Sequence, residues 1–239
     1  MTESLGDDLH IWLCNVDKFR DSSVLDRCVP WLDDVETQRW KRFRFERDRH
    51  LFLVAHALVR HSLSRYANVP PGAWRFAVGK YGRPEISGAD AKGLRFNLSH
   101  ARGLAAVLIN RGIDCGIDVE PRHRDVDTLA VSKRVFADAE RADMLTLPTS
   151  EQRARFFEYW TLKESYIKAR GMGLALPLAH FAFTIGNPIT VGFDASMEDD
   201  PSLWQFELHS PTSDHQLAWA ARRGHGPERR VRMRWVDSW

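Results

Sequence analysis

The chain has 239 residues, of which 44% are hydrophobic and 28% are charged, so it is long enough for one large or two small globular domains. This composition excludes a disordered, collagenous or coiled-coil protein. Lysine and arginine total 34 against 32 acidic residues, and this near balance argues against a protein that wraps nucleic acid through its overall charge.

Cysteine usage and hydropathy bear on the compartment. Cys14, Cys28 and Cys115 are too few and too scattered for a disulfide framework, and no cysteine and histidine spacing matches a zinc site. A reducing cytoplasm fits best. The acidic start of the chain lacks the features of a secretory signal. The longest apolar run, Leu104 to Ile109, is far below the roughly 20 residues that cross a bilayer. We therefore expect a soluble protein with no membrane partner.

The first half of the chain predicts a strand, a helical stretch and then further strands. Apolar spacing indicates a strand over His10 to Val16, followed by one long helix or two abutting helices over Val35 to Tyr66. A short strand over Trp74 to Val78 precedes a glycine- and proline-containing loop over Gly79 to Pro84. We expect an antiparallel meander of three further strands, at Leu94 to Leu98, Gly103 to Asn110 and Cys115 to Glu120.

The second half repeats this order of helices followed by strands. Helical patterns cover residues 127–147 and 150–170, with Ser150 placed to cap the second helix. The strands expected after them are Phe181 to Ile185, Trp204 to His209, Gln216 to Ala221 and Val231 to Val236. The recurrence predicts an α+β fold of two similar halves, residues 1–121 and 122–239.

Two carboxylates lie near the end of the third strand of the expected meander. The period of two in a strand places Asp118 and Glu120 on one face. Such a pair repels itself unless a cation neutralises it, and oxygen ligands of this kind suit Mg²⁺, which also takes phosphate oxygens. An amphipathic edge strand with its acidic face in water explains the same pattern equally well.

A second motif lies on the last helix of the second half. Steps of three and four residues along one helix face join Phe157, Trp160, Glu164 and Lys168. The aromatic start of this stripe favours burial, whereas Glu164 and Lys168 alone would be an ordinary surface ion pair. Gly171-Met172-Gly173 then ends the helix and lets backbone approach a ligand.

Cations are concentrated in the first half of the chain. Singly, each would only line a solvated helix face or hold a turn. Together they supply charge-assisted donors suited to phosphates, beside an acidic pair suited to the metal that bridges phosphates, so the indicated ligand is a pyrophosphate. The residues are Arg39, Lys41, Arg42, Arg44, Arg47 and Arg49, with Arg83 in the glycine loop and Ser99-His100 at a strand turn.

Five sequence blocks occur in order along the chain: Arg39 to His50, Tyr81 to Pro84, Phe96 to His100, Gly116 to Glu120 and, most specific, Trp160 to Leu174. In these blocks the chain resembles the 4'-phosphopantetheinyl transferases of the surfactin-synthetase-activating type. The resemblance spans about residues 10 to 220. It implies a monomer of two similar α+β halves in a pseudo-twofold arrangement, with coenzyme A and Mg²⁺ in the cleft between them.

The resemblance also assigns roles to individual residues. It implies that Asp118, Glu120 and Glu164 are metal ligands and that the catalytic residues are Glu164, Lys168 and His100. Coenzyme A would be bound by Arg39, Arg83, Pro84, Ser99, His100, Asp118, Glu164 and Lys168. Pro84 would shape the adenine pocket. The family usually has lysine where Arg83 stands, and arginine exchanges a point donor for a planar fork.

The implied reaction is that of a Mg²⁺-dependent holo-[acyl-carrier-protein] synthase. The phosphopantetheine arm of coenzyme A passes to a serine of an apo acyl or peptidyl carrier protein, and 3',5'-ADP is released. Either Glu164 or a metal-bound water serves as the base. The carrier could belong to a peptide synthetase, a polyketide synthase or fatty-acid synthesis, so a part in antibiotic or other secondary-metabolite biosynthesis is one possibility.

A basic and apolar segment, Val131 to Ala137, is expected to dock an acidic carrier through Lys133 and Arg134. The alternative is that its apolar residues belong to the core and only the two cations are exposed.

Two other functions fit parts of the pattern. A Mg²⁺-dependent phosphohydrolase or nuclease would use the same acids but would not need Ser99-His100 and the glycine loop. An RNA-binding module is suggested by arginines near the end of the chain, which lack the stacking platform of known RNA modules. A solvated basic strand or a docking patch is favoured, with no nucleic-acid partner. These arginines are Arg222, Arg223, Arg229, Arg230, Arg232 and Arg234.

Overall fold

The computed structural model describes residues 2–88 and 93–239. Met1, at the acidic start of the chain, lies outside the described residues, as does the side chain of Leu174 at the end of the fifth block. Two units make up the chain, the first formed by Met1–Ile113 with Arg229–Trp239 and the second by Asp114–Glu228. Each unit combines helices with sheet, and the fold is α+β, as predicted.

Strands and helices are named here in chain order. The strands are β1 (Leu9–Asn15), β2 (Arg75–Val78), β3 (Pro84–Ser87), β4 (Leu94–Ala101), β5 (Leu104–Arg111), β6 (Cys115–Pro121), β7 (Phe181–Thr184), β8 (Thr190–Phe193), β9 (Trp204–Thr212), β10 (His215–Arg222) and β11 (Val231–Trp235). The α-helices are α1 (Ser22–Cys28), α2 (Asp34–Arg42), α3 (Glu46–Leu63), α4 (Thr128–Val135), α5 (Asp138–Thr146) and α6 (Thr149–Arg170). Across the part of the chain that is described, none of the helices has the length and apolar composition needed to cross a membrane.

The first unit is built on a sheet with the strand order β11-β1-β5-β4. Strands β1, β5 and β4 run antiparallel to their neighbours, whereas β11 lies parallel to β1. Helix α3 packs on this sheet and buries Val54 and Leu58 in its core. The helical stretch predicted over Val35 to Tyr66 is two helices, because the backbone turns extended at Phe43.

The second unit is built on an antiparallel sheet with the order β6-β10-β9, and β7 and β8 form a separate ribbon. Helix α6 lies across β6 and β10 and buries aromatic residues such as Phe157 and Tyr166. It begins one residue earlier than predicted, so Pro148, and not Ser150, is its N-cap residue. It ends at Gly171, whose positive φ of 63° favours glycine.

The expected three-stranded meander is wrong in its last strand. Strands β4 and β5 form the predicted hairpin, but β6 pairs with β10. The predicted boundary at Pro121 therefore differs from the observed one between Ile113 and Asp114. The strand predicted over Val231 to Val236 is present as β11, in the sheet of the first unit. A pattern of alternating residues identifies a strand without identifying its partner.

In the second unit, β6 and α6 approach until their backbones touch. A Cβ atom added at Gly116 would lie 2.0 Å from the carbonyl oxygen of Ser165 and 2.5 Å from the backbone nitrogen of Ala169. Only glycine fits such a contact. The strand that carries Asp118 and the helix that carries Lys168 are thereby held side by side.

Candidate active site

Four of the predicted site residues come together in the second unit. Asp118 and Glu120 lie on β6, and Glu164 and Lys168 lie on the facing helix α6. Lys168 reaches from the helix to the strand, where its Nζ atom lies 2.7 Å from Asp118 Oδ1 and donates to the carbonyl oxygen of Ile117 at 3.1 Å. Lys168 is therefore a partner of the strand acid, beyond the surface pair with Glu164 that its spacing alone would suggest.

Glu120 is held by two donors on the same oxygen. Its Oε1 atom accepts a hydrogen bond from Arg124 Nη1 at 2.9 Å and another from Trp160 Nε1 at 3.2 Å. Burial of the carboxyl group raises the pKa of Glu120, and the nearby charge of Asp118 raises it further. Trp160, predicted as part of a buried stripe, thus also orients an acid.

Burial raises the pKa of Glu164 to about 7, and the charges of Asp118 and Glu120 act in the same direction while Lys168 opposes them. Three acids therefore repel one another in this part of the unit, and such a set is stabilised by an added cation. Among residues 2–88 and 93–239, however, no three His, Cys, Asp or Glu side chains form a group that could hold a metal ion as they stand.

The donor set nevertheless fits a hard divalent cation. All three acids offer carboxylate oxygens, the ligand type that Mg²⁺ prefers, and two of them come from one strand face. In the arrangement seen, Asp118 is bonded to Lys168 and Glu120 to Arg124. Both partners are side-chain cations, so Asp118 and Glu120 are paired from within the unit, but the three acids outnumber these two cations.

The remaining predicted site residues belong to the first unit. Arg39 is exposed on α2, with its guanidinium 5.5 Å from the ring centroid of Phe52. Arg83 forms an ion pair with Glu85 at 3.0 Å. The other three are Pro84, the first residue of β3, and Ser99 and His100, near the hairpin end of β4.

A buried ion pair between α6 and α5 was not predicted from the sequence. Lys163 Nζ lies 2.8 Å from Glu140 Oε2 and donates to the carbonyl oxygens of Leu178 and Phe181, each at 2.7 Å. Both charged side chains are almost completely buried. Lys163 lies in the most specific sequence block, next to Glu164, but nothing in the sequence connects it to Glu140 on α5.

A second unpredicted group anchors the end of α6. The buried carboxylate of Asp199 accepts hydrogen bonds from Tyr166 Oη at 2.7 Å, from Arg170 Nη1 at 2.5 Å and from Trp204 Nε1 at 3.0 Å. Tyr166 and Arg170 flank Lys168 in sequence, so these bonds fix the last turns of the helix that carries it. Asp199 lies in a loop without a motif, and no sequence signal marks it.

The predicted docking segment divides between core and surface. Phe136 is buried, and Val131 and Val135 pack against the same core. Lys133 and Arg134 are exposed. The apolar part of the predicted patch is therefore core, as the alternative had it. A different apolar residue of α4, Leu129, is exposed instead, with 49% of its surface accessible.

Those arginines near the end of the chain that belong to the first unit bind the acidic N-terminal segment. Arg229 pairs with Asp7 at 3.0 Å, Arg232 with Asp8 at 2.7 Å, and Arg234 with Glu3. Arginines on β11 thus help to join the end of the chain to its beginning, within the first unit.

Comparison with known families identifies both parts of the chain. Residues 114–220 match the family model described as 4'-phosphopantetheinyl transferase superfamily, and residues 21–110 match that described as 4'-phosphopantetheinyl transferase, N-terminal. Among solved structures, a holo-(acyl-carrier-protein) synthase from Bacillus anthracis in complex with CoA (3',5'-ADP) is similar over 46% of this chain and 95% of that chain. Its identity to this chain is 17% and its TM-score is 0.37.

Two curated proteins are similar over much of the chain. The 4'-phosphopantetheinyl transferase HetI of Nostoc sp. is 34% identical over 172 residues, which cover 72% of this chain and 72% of that protein. The 4'-phosphopantetheinyl transferase Sfp of Bacillus subtilis is 31% identical over 162 residues, which cover 66% of this chain and 68% of that protein. On this identity and coverage, the chain belongs to the 4'-phosphopantetheinyl transferase superfamily and is a transferase of that class.

Proposed function

We propose that the protein transfers the 4'-phosphopantetheine arm of coenzyme A to a serine of an apo acyl or peptidyl carrier protein, releases 3',5'-ADP and requires Mg²⁺. The observation that carries this proposal is the grouping of Asp118, Glu120, Glu164 and Lys168 where β6 and α6 touch. A cluster of acids with one lysine suits a metal-assisted transfer of a phosphoryl group. The monomeric state and the cytoplasmic location stay predictions.

Asp118 and Glu120 would hold the metal from the strand, and Glu164 would complete the set from the helix. When bound, Mg²⁺ supplies Lewis-acid polarisation of the phosphoryl group under attack. The mutual repulsion of the three acids supports this assignment, because a cation would relieve it. The backbone contact at Gly116 keeps the strand and the helix in register, so that only side chains need to move.

Lys168 and Glu164 divide the remaining work. The ammonium group of Lys168 would stabilise the negative charge that develops on the departing 3',5'-ADP. Glu164 stands one helical turn before Lys168 and would take the proton of the carrier serine as that hydroxyl attacks. The hydrogen bonds that Tyr166 and Arg170 donate to Asp199 keep this end of the helix in place.

The cations of the first unit would bind the phosphates of coenzyme A. We assign this role to Arg39, Arg83, Ser99 and His100, and the adenine contact to Pro84. Arg83 forms an ion pair with Glu85, in which its Nε atom lies 3.0 Å from Glu85 Oε1, and its guanidinium is a planar fork. An anion can then meet two parallel N–H groups where a lysine would offer a single charge.

The carrier would dock through exposed cations of α4. Lys133 and Arg134 are exposed on that helix, and Leu129 adds an exposed apolar side chain. An acidic carrier with an apolar contact residue is the matching partner. Carriers of peptide synthetases, polyketide synthases and fatty-acid synthesis are the candidate partners.

Mass spectrometry of carrier domains tests the proposal directly. An apo carrier incubated with coenzyme A, MgCl₂ and the protein should gain the mass of one phosphopantetheine, and excess EDTA should prevent the gain. A second incubation contains coenzyme A and Mg²⁺ without any carrier. Release of 3',5'-ADP in that sample at a comparable rate would identify a phosphohydrolase instead, and undiminished transfer in EDTA would contradict the metal requirement.

A further inference from the structure

Arg124 is bonded to one of the acids assigned to the metal. It follows β6 in a short connecting segment, and its Nη1 atom lies 2.9 Å from Glu120 Oε1. The side chain of Arg124 is half-exposed, at 50%, whereas that of Glu120 is mostly buried, at 16%. A solvent-facing guanidinium thus reaches inward to a carboxylate that is largely shielded from water.

A side chain of α6 holds the backbone of the segment that carries Arg124. The guanidinium of Arg153 donates to three carbonyl oxygens of the connecting segment, those of Arg122 at 3.0 Å, of Val126 at 3.4 Å, and of Arg124. One side chain therefore fixes the path of the segment. Because the backbone is fixed, the contact of Arg124 with Glu120 can be lost through rotation of the arginine side chain alone.

We propose that Arg124 is an internal counter-ion that sets the affinity of the acid cluster for divalent cations. This inference rests on the proposed function, in which Glu120 is a metal ligand. A divalent cation on Glu120 either takes Oε1 from the guanidinium or binds Oε2 beside that positive charge, so in both cases the ion pair at Oε1 opposes metal binding. Trp160, which donates to that oxygen as an uncharged group, keeps Glu120 oriented during the exchange.

Lys168 and Arg124 differ in their contacts and in their exposure to water. Lys168 is anchored both to Asp118 and to the carbonyl oxygen of Ile117, and its side chain is 27% exposed. Arg124 is the more exposed of the two cations and can leave its ion pair at small cost, because water then hydrates the guanidinium. Arg124 is therefore the cation that yields to the metal, while Lys168 stays in the site.

The experiment is calorimetric titration of the metal-free full-length protein with MgCl₂ and with MnCl₂, which does not depend on activity. R124A should bind both cations about two- to fivefold more tightly than the wild type, the range expected for a partly exposed ion pair. R124K, which keeps a charge able to pair with Glu120, should stay near the wild type.

R122A is the matched control. It removes the same charge from the same segment. In the wild type, however, the Nη2 atom of Arg122 contacts Gln216 at 2.8 Å and also Ser210, and these contacts do not involve Glu120. Its affinity for the cations should therefore change much less than that of R124A. Equal tightening in R122A and R124A would overturn the inference, because it would show a general effect of charge. Unchanged or weaker binding by R124A would overturn it as well.

D118A separates this inference from the proposed function. Should the wild type bind neither cation, or should D118A bind them as well as the wild type, the metal site itself fails and the inference with it. Should D118A lose binding while R124A matches the wild type, only the inference fails. Melting curves of the variants without metal show that each one is folded.

Discussion

Helix α6 carries two lysines with opposite surroundings. Lys163 is sealed in the core with Glu140, and every proton of its ammonium group has an acceptor. Lys168 stands at a partly exposed site where three acids repel one another. Both lysines contact a carboxylate, yet only the first site is balanced in charge and closed to water. The surplus of negative charge, and not the presence of an ion pair, thus distinguishes the candidate active site.

The energetics of the two sites differ accordingly. A buried ion pair tolerates its loss of hydration only if its remaining donors and acceptors are bonded. Glu140 meets this condition, since it also accepts from the backbone nitrogens of Ala137 and Phe183, each at 2.9 Å. The acids near Lys168 keep an electrostatic strain in the metal-free protein. This repulsion lowers the stability of the metal-free folded protein and favours the binding of a cation.

The largest expected effect comes from removing a strand acid. Asp118→Ala should lower the rate of carrier modification by about a thousandfold or more, on the order of 4 kcal/mol, because a proposed metal ligand and the partner of Lys168 are lost together. Stability should change little, since the acid contributes repulsion as well as an ion pair. Rates by mass spectrometry and melting curves measure the two effects. Asp125→Ala, in the exposed segment after β6, is the control, and near-normal transfer by Asp118→Ala would contradict the assignment.

Breaking the buried ion pair between Lys163 and Glu140 should lower the stability of the protein. Lys163→Met leaves Glu140 buried without its cation and should lower the free energy of unfolding by about 3 to 5 kcal/mol. Urea denaturation measures this loss, and Lys133→Met on the exposed face of α4 serves as the control. A loss no larger than that of the control would mean that the pair is not needed for the fold.

The pH dependence of the free energy of unfolding tests the repulsion between Glu164 and the acids Asp118 and Glu120. The folded pKa of Glu164, about 7, lies above the ordinary value of 4.5, so the folded state binds the proton more tightly. The stabilisation from protonated Glu164 is therefore complete below pH 4.5 and is lost as the pH rises through 7.

Glu164→Gln should consequently be more stable than the wild type at pH 8 in EDTA, by about 1 to 3 kcal/mol, and should lose this advantage at pH 4.5. Urea denaturation at the two pH values measures the difference. Glu151→Gln, at the exposed start of α6, should show no such dependence. An advantage that is the same at both pH values would show that the titration of Glu164 is not its cause.

The smallest effect is expected from charges outside both sites. The double change Lys133→Glu, Arg134→Glu should raise the KM for an acidic carrier a few-fold, more at low salt than at high salt, and leave the KM for coenzyme A nearly unchanged. Steady-state kinetics at two salt concentrations measure both constants. Arg27→Glu, an exposed charge reversal on α1, is the control. A carrier KM that does not move would place docking elsewhere.

Local pattern predicted much of the fold. The strand near His10, the hairpin of β4 and β5, and helix α6 all follow from the spacing of apolar residues, which reports on a single element at a time. The convergence of Asp118 and Glu120 with Glu164 and Lys168 followed from the five ordered blocks, which carry family information that no single motif provides.

Pairing between distant segments could not be predicted in the same way. The partner of β6 is β10, which lies nearly a hundred residues further along the chain. The residues of neither strand indicate that it pairs with the other. The pairs of Lys163 with Glu140 and of Arg234 with Glu3 have the same character. The short strands β3 and β8 were not predicted, because the proline that begins β3 and the glycine inside β8 are uncommon in strands and weaken the pattern.

The position of β11 has a consequence for protein synthesis. Residues of β11 pair with β1, Leu9 opposite Val231 and Leu13 opposite Trp235, so the sheet of the first unit needs a segment that follows the second unit in the chain. On a ribosome, the second unit can be completed while this sheet still lacks an edge strand. A nascent chain at that stage exposes one edge of the apolar strand β1, which invites pairing with other chains. The first unit therefore finishes folding only after the second unit has been synthesised.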